Sequence, residues 1–152
     1  MKTYLLLPLL VLLAIPASAA KMSMPSDATK SYEAECASCH MAYPPGLLGQ
    51  KNWQSIMSGL DKHFGTDASL DAKTESEISQ WLLKNAATKK KYAALAPDNR
   101  ITKTSWFIRK HDEVRADVWK RAGVKSPANC AACHQNAVKG NFDEDNIRIP
   151  AK

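Results

Sequence analysis

After residue 20 the chain has no long apolar run. Crossing a bilayer as a helix takes about 20 mostly apolar residues, so nothing beyond that point is expected to span a membrane. Sustained apolar–polar alternation is also missing, which excludes a sheet-based fold. Val, Ile and Leu are sparse against many Lys, Ala, Ser and Asp, so a core made of protein alone would be thin for this length. A non-protein component is expected to fill part of it. Histidine and cysteine are scarce, with four of each in 152 residues.

The N-terminus carries the one strongly apolar segment. Lys2 gives a positive start, Leu5 to Ile15 form an apolar stretch broken by Pro8, and Pro16 precedes the small residues Ala17-Ser18-Ala19. This is the pattern of a secretory signal peptide, residues 1–20, cleaved after Ala19 or Ala20. The mature chain of about 132 residues is then expected to be exported to a bacterial periplasm, and has the size of one domain or two very small ones. Export argues against a nucleic-acid partner. The mature net charge is near +5, from 20 Lys and Arg against 15 Asp and Glu, and it is unevenly placed. Residues 84–125 hold twelve basic and four acidic side chains, whereas residues 21–83 hold five and eight. Such a stretch is either a solvated basic face or a surface that steers an acidic partner.

All four cysteines fall in two copies of one motif, Cys36-Ala-Ser-Cys39-His40 and Cys130-Ala-Ala-Cys133-His134. Cys-x-x-Cys-His reads as covalent attachment of c-type haem. On one helical turn the two thiols can each bond a vinyl group, and the following imidazole faces the iron from the same side. Disulfides within each pair suit an oxidising compartment but leave the two histidines unexplained. A four-cysteine zinc site needs pairs about 15–20 residues apart, and these lie about 90 apart. A thioredoxin-like pair needs a βαβ setting. Two covalently attached haem c groups are therefore expected.

Helical periodicity organises the rest. Residues 31–40 read as a helix capped by Ser31. Pro44, Pro45 and Gly46 force a loop. Trp53, Ile56, Met57, Leu60, His63 and Phe64 share a face of a second helix ending at Gly65. A third, with Asp71 and Thr74 as candidate caps and Glu75 and Glu77 in its first turn, carries Ile78, Trp81, Leu82 and Asn85. Residues 88–100 read as a polar connection, residues 104–121 as one or two short helices, and residues 126–138 as a helix starting near Ser126. Residues 21–30 read as loose and the tail from Gly140 as turns. The expected fold class is all-α, with two small haem-binding helical units at residues 31–86 and 100–150.

With His40 and His134 as the iron ligands of the two motifs, His63 and His111 remain, one in each half. Each could be an ordinary core histidine, but two irons each want a sixth ligand. Met57 is the rival on the same helix as His63. Met41 adjoins His40 and cannot reach the opposite face of the same haem, and Met22 and Met24 sit in the N-terminal segment. The inventory favours two histidines at each iron, with His63 paired to His40 by chain proximity. A crossed pairing stays open. Trp53, Trp81, Trp106, Phe107 and Trp119 are expected to pack against the faces of the bound groups.

The stretches ECASCHMAYPPGLL, ITKTSWFIRKHDEV and SPANCAACH, with FDEDNIRIP near the end, resemble the dihaem cytochrome c family of bacterial periplasms over roughly residues 31–150. The first half also resembles a small class I cytochrome c domain whose usual methionine ligand is replaced. The resemblance implies a low-spin electron carrier, not an enzyme. It places the haem-bearing thioethers at Cys36, Cys39, Cys130 and Cys133 and the iron ligands at His40, His63, His111 and His134. It also implies redox partners: a membrane b-type cytochrome as donor and the sphaeroides haem protein, a small oxygen-binding monohaem cytochrome, as acceptor. The alternative is a haem enzyme or gas-binding protein with one open iron, for which the sequence offers no spare histidine as acid or base.

Overall fold

The computed structural model describes residues 22–152; the expected signal peptide, residues 1–20, lies outside them. The described residues are helical, with five α-helices joined by short 3₁₀ turns and no strand. None of these helices is long and apolar enough to cross a membrane. The first is α1, Lys30–Cys36. Its N-cap is Thr29, not Ser31: the Thr29 hydroxyl accepts from Tyr32 N at 3.1 Å, as short polar side chains do at a helix start. Ser31 instead donates to Glu77 at 3.0 Å. The helix stops at Cys36 rather than running to His40, and Ser38 donates to the Glu35 carbonyl at 2.8 Å, a side-chain bond that competes with continuing helix.

Helix α2, Gln50–Met57, starts at Gly49, where a Cβ would lie 2.6 Å from the Ala93 carbonyl oxygen. It ends six residues before His63. Gly59, at φ −134° and ψ 32°, has left the helical region, and Leu60–Lys62 form a separate 3₁₀ turn. The expected continuous stripe from Trp53 to Phe64 is thus broken at Ser58-Gly59, where glycine has little helical preference. Helix α3, Ala72–Asn85, agrees with the sequence: Asp71 Oδ1 accepts from Lys73 N at 3.0 Å and Thr74 N at 3.1 Å, and Ile78, Trp81 and Leu82 are buried. Thr74 lies inside the helix and does not cap it.

The expected polar connection contains a one-turn helix, α4 (Lys90–Ala93), and a 3₁₀ turn, Pro97–Asn99, with a second 3₁₀ turn, Ile101–Lys103, just beyond it. Helix α5, Ser105–Lys110, is capped by buried Thr104, whose hydroxyl accepts from Phe107 N at 3.2 Å. Beyond it the chain runs in turns. The helix expected from Ser126 is reduced to a 3₁₀ turn, Cys130–Ala132. Lys125 (φ 67°) and Gly140 (φ 70°) are left-handed residues that interrupt this region.

Buried apolar side chains form two clusters. The larger gathers Tyr32, Leu48, Trp53, Met57, Ile78, Trp81 and Leu82 from α1, α2 and α3. The smaller is Leu47, Trp106 and Phe107, with Tyr92, Trp119 and Phe142 packed around it. Residues 22–29 are not loose: Met24 packs on the larger cluster and Met22 on the smaller. Asp27 accepts from Trp81 Nε1 at 3.3 Å and Lys84 Nζ at 2.8 Å. Gly140 lets this segment pass, because a Cβ there would meet Ser23 Cα at 2.6 Å.

Candidate functional site

The structure brings the four histidines together in two pairs. The ring centres of His40 and His63 are 6.2 Å apart, and those of His111 and His134 are 6.1 Å apart. An imidazole nitrogen bonds a metal ion at about 2 Å and lies about 1.1 Å from its own ring centre, so two imidazoles on opposite sides of one ion stand about 6 Å apart. The ring planes meet at 25° in the first pair and 77° in the second. Both angles are compatible, since each ring can turn about the axis through the ion.

Local structure aims these rings. His40 Nδ1 is 2.7 Å from the Met41 carbonyl and His111 Nδ1 is 2.8 Å from the Phe107 carbonyl. An Nδ1–H donated to a carbonyl leaves Nε2 as the free lone pair, the tautomer a metal ligand needs. Phe107 also stacks on His111, with ring centres 4.0 Å apart and planes at 18°. Trp119 lies 5.9 Å from His111 on the same aromatic cluster. His63 sits at the head of a tight turn closed by Thr66 N donating to His63 O at 3.0 Å. The turn runs through Phe64 (φ 50°) and Gly65 (φ 100°). A left-handed phenylalanine is strained, and such strain concentrates at functional sites. Arg100 covers the exposed Phe64 ring, its guanidinium carbon 4.4 Å from the ring centre.

Burial, and then the partner histidine, hold the His63 and His134 imidazoles below the usual histidine range. Both are therefore neutral at pH 7, the form that binds metal. Burial pushes the Cys36 and Cys130 thiols up to about 11. None of the four cysteines is in a disulfide. No group of three or more His, Cys, Asp or Glu able to hold a bare ion occurs among the described residues. Two imidazoles per site leave the remaining donors to be carried by the bound group itself, as in a metal macrocycle. Met57, the rival ligand, is buried in the larger cluster at 5 % exposure. Trp53 and Trp81 belong to that cluster too, and the Trp53 indole donates to the Pro45 carbonyl at 2.7 Å.

A protein-family model described as dihaem cytochrome c matches residues 32–142. The chain belongs to the dihaem cytochrome c family. Two solved structures agree. A dihaem cytochrome c from Shewanella baltica OS155 is 41% identical, with a TM-score of 0.71, covering 80% of this chain and 93% of that one. One from Rhodobacter sphaeroides is 41% identical, with a TM-score of 0.67, covering 78% of this chain and 99% of that one. Comparison with curated proteins gives no match. As a dihaem cytochrome c the protein carries two covalently bound haem c groups and takes part in electron transfer.

The residues fit those groups. Besides the two imidazole pairs, Trp106 Nε1, Arg121 Nε and His134 Nδ1 are buried without a protein partner. Buried unpaired donors are costly and rare, and a bound group bearing carboxylates supplies acceptors of the kind they lack.

One participant was not picked out from sequence. Tyr43 lies in the loop after His40, its ring centre 4.9 Å from that of His40. Its hydroxyl donates to the Ala128 carbonyl at 2.7 Å, two residues before Cys130. The sequence signal was faint: an aromatic residue three positions after a motif histidine, ahead of two prolines.

Proposed function

We propose that this dihaem cytochrome c is a periplasmic one-electron carrier, not an enzyme, with both irons held by two histidines. Cys36 and Cys39 anchor one haem and Cys130 and Cys133 the other. His40 and His63 are the axial pair of the first, His134 and His111 of the second, within units at residues 31–86 and 100–150. What carries this reading is the separation of each histidine pair, 6.2 Å and 6.1 Å, with Nδ1 of His40 and of His111 each already engaged by a carbonyl.

When bound, the haems supply reversible one-electron exchange; the protein supplies binding and orientation. Two imidazoles on each iron leave no open coordination position, and histidine in place of methionine keeps the potentials low. The His111 ring is locked between the Phe107 carbonyl and the Phe107 face, so its direction is set before metal binding. Optical spectra of the haem-loaded protein test the assignment: we expect low-spin bands in both oxidation states and no change when CO is added to the reduced form. Prompt CO binding would show an open iron and move the reading to gas or nitrogen-oxide chemistry.

The partners follow from charge and family resemblance. Lys89, Lys90, Lys91, Arg100 and Arg109 are exposed on the basic 84–125 stretch. Opposite charge on a partner speeds encounter, and salt screens it over about 8 Å at physiological strength. The proposed acceptor is a small oxygen-binding haem protein and the donor a membrane b-type cytochrome. Transfer rates to the acceptor should fall as ionic strength rises; a rate indifferent to salt would remove the steering role of this face.

A further inference from the structure

The phenol of Tyr43 touches both halves of the site. Its backbone carbonyl accepts from the buried Tyr32 hydroxyl of α1. Its ring packs against both apolar clusters and lies 4.9 Å from His40. Its hydroxyl reaches across 85 residues of sequence to the Ala128 carbonyl at 2.7 Å, at the entrance to the second Cys-x-x-Cys-His. Around Ala128 the chain has little regular structure. Ser126 Oγ accepts from Ala128 N at 3.1 Å, and the next element is a single 3₁₀ turn. Few other bonds tie this loop to the first site.

We propose that Tyr43 is a positioning residue that sets the spacing between the two haem sites, and through it the electrostatic interaction between the two irons. The physical basis is simple. Charges on two nearby metal centres interact as the inverse of their distance, more strongly in a poorly solvated interior. Two centres that interact in this way titrate as a coupled pair, so their two midpoint potentials move apart. A tether from the His40 side to the loop bearing Cys130 fixes the distance that controls this separation.

The inference rests on the assignment of His40 and Cys130 to different haems, and the two fail separately. Haem content and CO-insensitive spectra report on the assignment. The test of Tyr43 is Tyr43→Phe in the haem-loaded protein, which keeps the ring and removes the one bond. Two readouts are taken: the separation between the midpoint potentials in a redox titration, and amide hydrogen exchange over residues 126–133. Exchange there should quicken about fivefold, the worth of one ordinary hydrogen bond, and the potential separation should narrow, with haem content unchanged. Tyr92→Phe, a tyrosine on the smaller cluster away from this bond, should change neither. Faster exchange without a narrower separation would make the bond merely structural. A narrower separation without faster exchange would place the effect elsewhere, and no change in either would leave Tyr43 as packing; each of these overturns the proposal. Should Tyr43→Phe not fold, Pro127→Ala loosens the same loop from its exposed side and must narrow the separation in the same way.

Discussion

A chain with both Cys130 and Cys133 replaced by alanine should carry one haem per molecule, half of the normal content. The smaller apolar cluster draws two of its three buried members, Trp106 and Phe107, from the second half and the third, Leu47, from the first, so the second half depends on its bound group for much of its interior. Here regular structure is also thinnest: after α5 the chain is held by 3₁₀ turns and single bonds such as Arg148 N to the Cys133 carbonyl at 2.9 Å. Without thioether anchors the imidazoles of His111 and His134 alone would have to retain the group, and a non-covalent haem is released when denaturant unfolds the site. The measurement is haem absorbance per mole of protein together with intact mass, followed by a redox titration. We expect a single midpoint potential and faster amide exchange confined to residues after about 104. Replacing Cys36 and Cys39 should likewise halve haem content, but with smaller loss of order, because the cluster around Trp53, Ile78 and Trp81 remains. Retention of two haems in either double variant would contradict the cysteine assignment.

His63→Ala should open one iron. In the proposed carrier, removing that imidazole leaves its site with a weak or exchangeable sixth ligand, so the ferric protein gains a high-spin component and the reduced protein binds CO at one of its two haems. His111→Ala should do the same at the other. The effect is all-or-none for the affected haem, which makes it the sharpest optical change available. His63→Met is the informative companion: a retained methionine ligand should restore the low-spin spectrum and raise that haem's potential. If His63→Ala stays low-spin and ignores CO, His63 is not a ligand, and Met57, buried at 5 % exposure, would have to move to take its place.

Much of the chemistry was legible in the sequence because it is local. Cys-x-x-Cys-His needs no tertiary information, and four histidines divided between two halves left few choices for the sixth ligand. The helix over residues 72–85 was equally readable, since Asp71, Glu75 and the Ile78/Trp81/Leu82 spacing agree. The apolar period from Trp53 to Phe64 reads as one helix, but periodicity alone does not register the break at Ser58-Gly59. In the structure Gly59 leaves the helix, and His63 is delivered by a strained turn at Phe64 and Gly65. Thr29 rather than Ser31 caps α1 for a tertiary reason: Glu77 of α3 engages the Ser31 hydroxyl. Cross-chain bonds such as Tyr43 to Ala128 have no local signature at all.

The passage of Ser23 and Met24 across Gly140 has a consequence for the order in which the molecule is completed. A segment made early comes to rest against one made late. Asp27 can bond Trp81 and Lys84 as soon as α3 is in place, whereas the crossing of Ser23 and Met24 over Gly140 needs the chain beyond residue 140. The crossing acts as a seal between the clusters, with Met24 on one and Met22 on the other. A bulky addition fused directly ahead of Met22 would press on that seal, so a tag is better placed at Lys152, where the chain ends exposed.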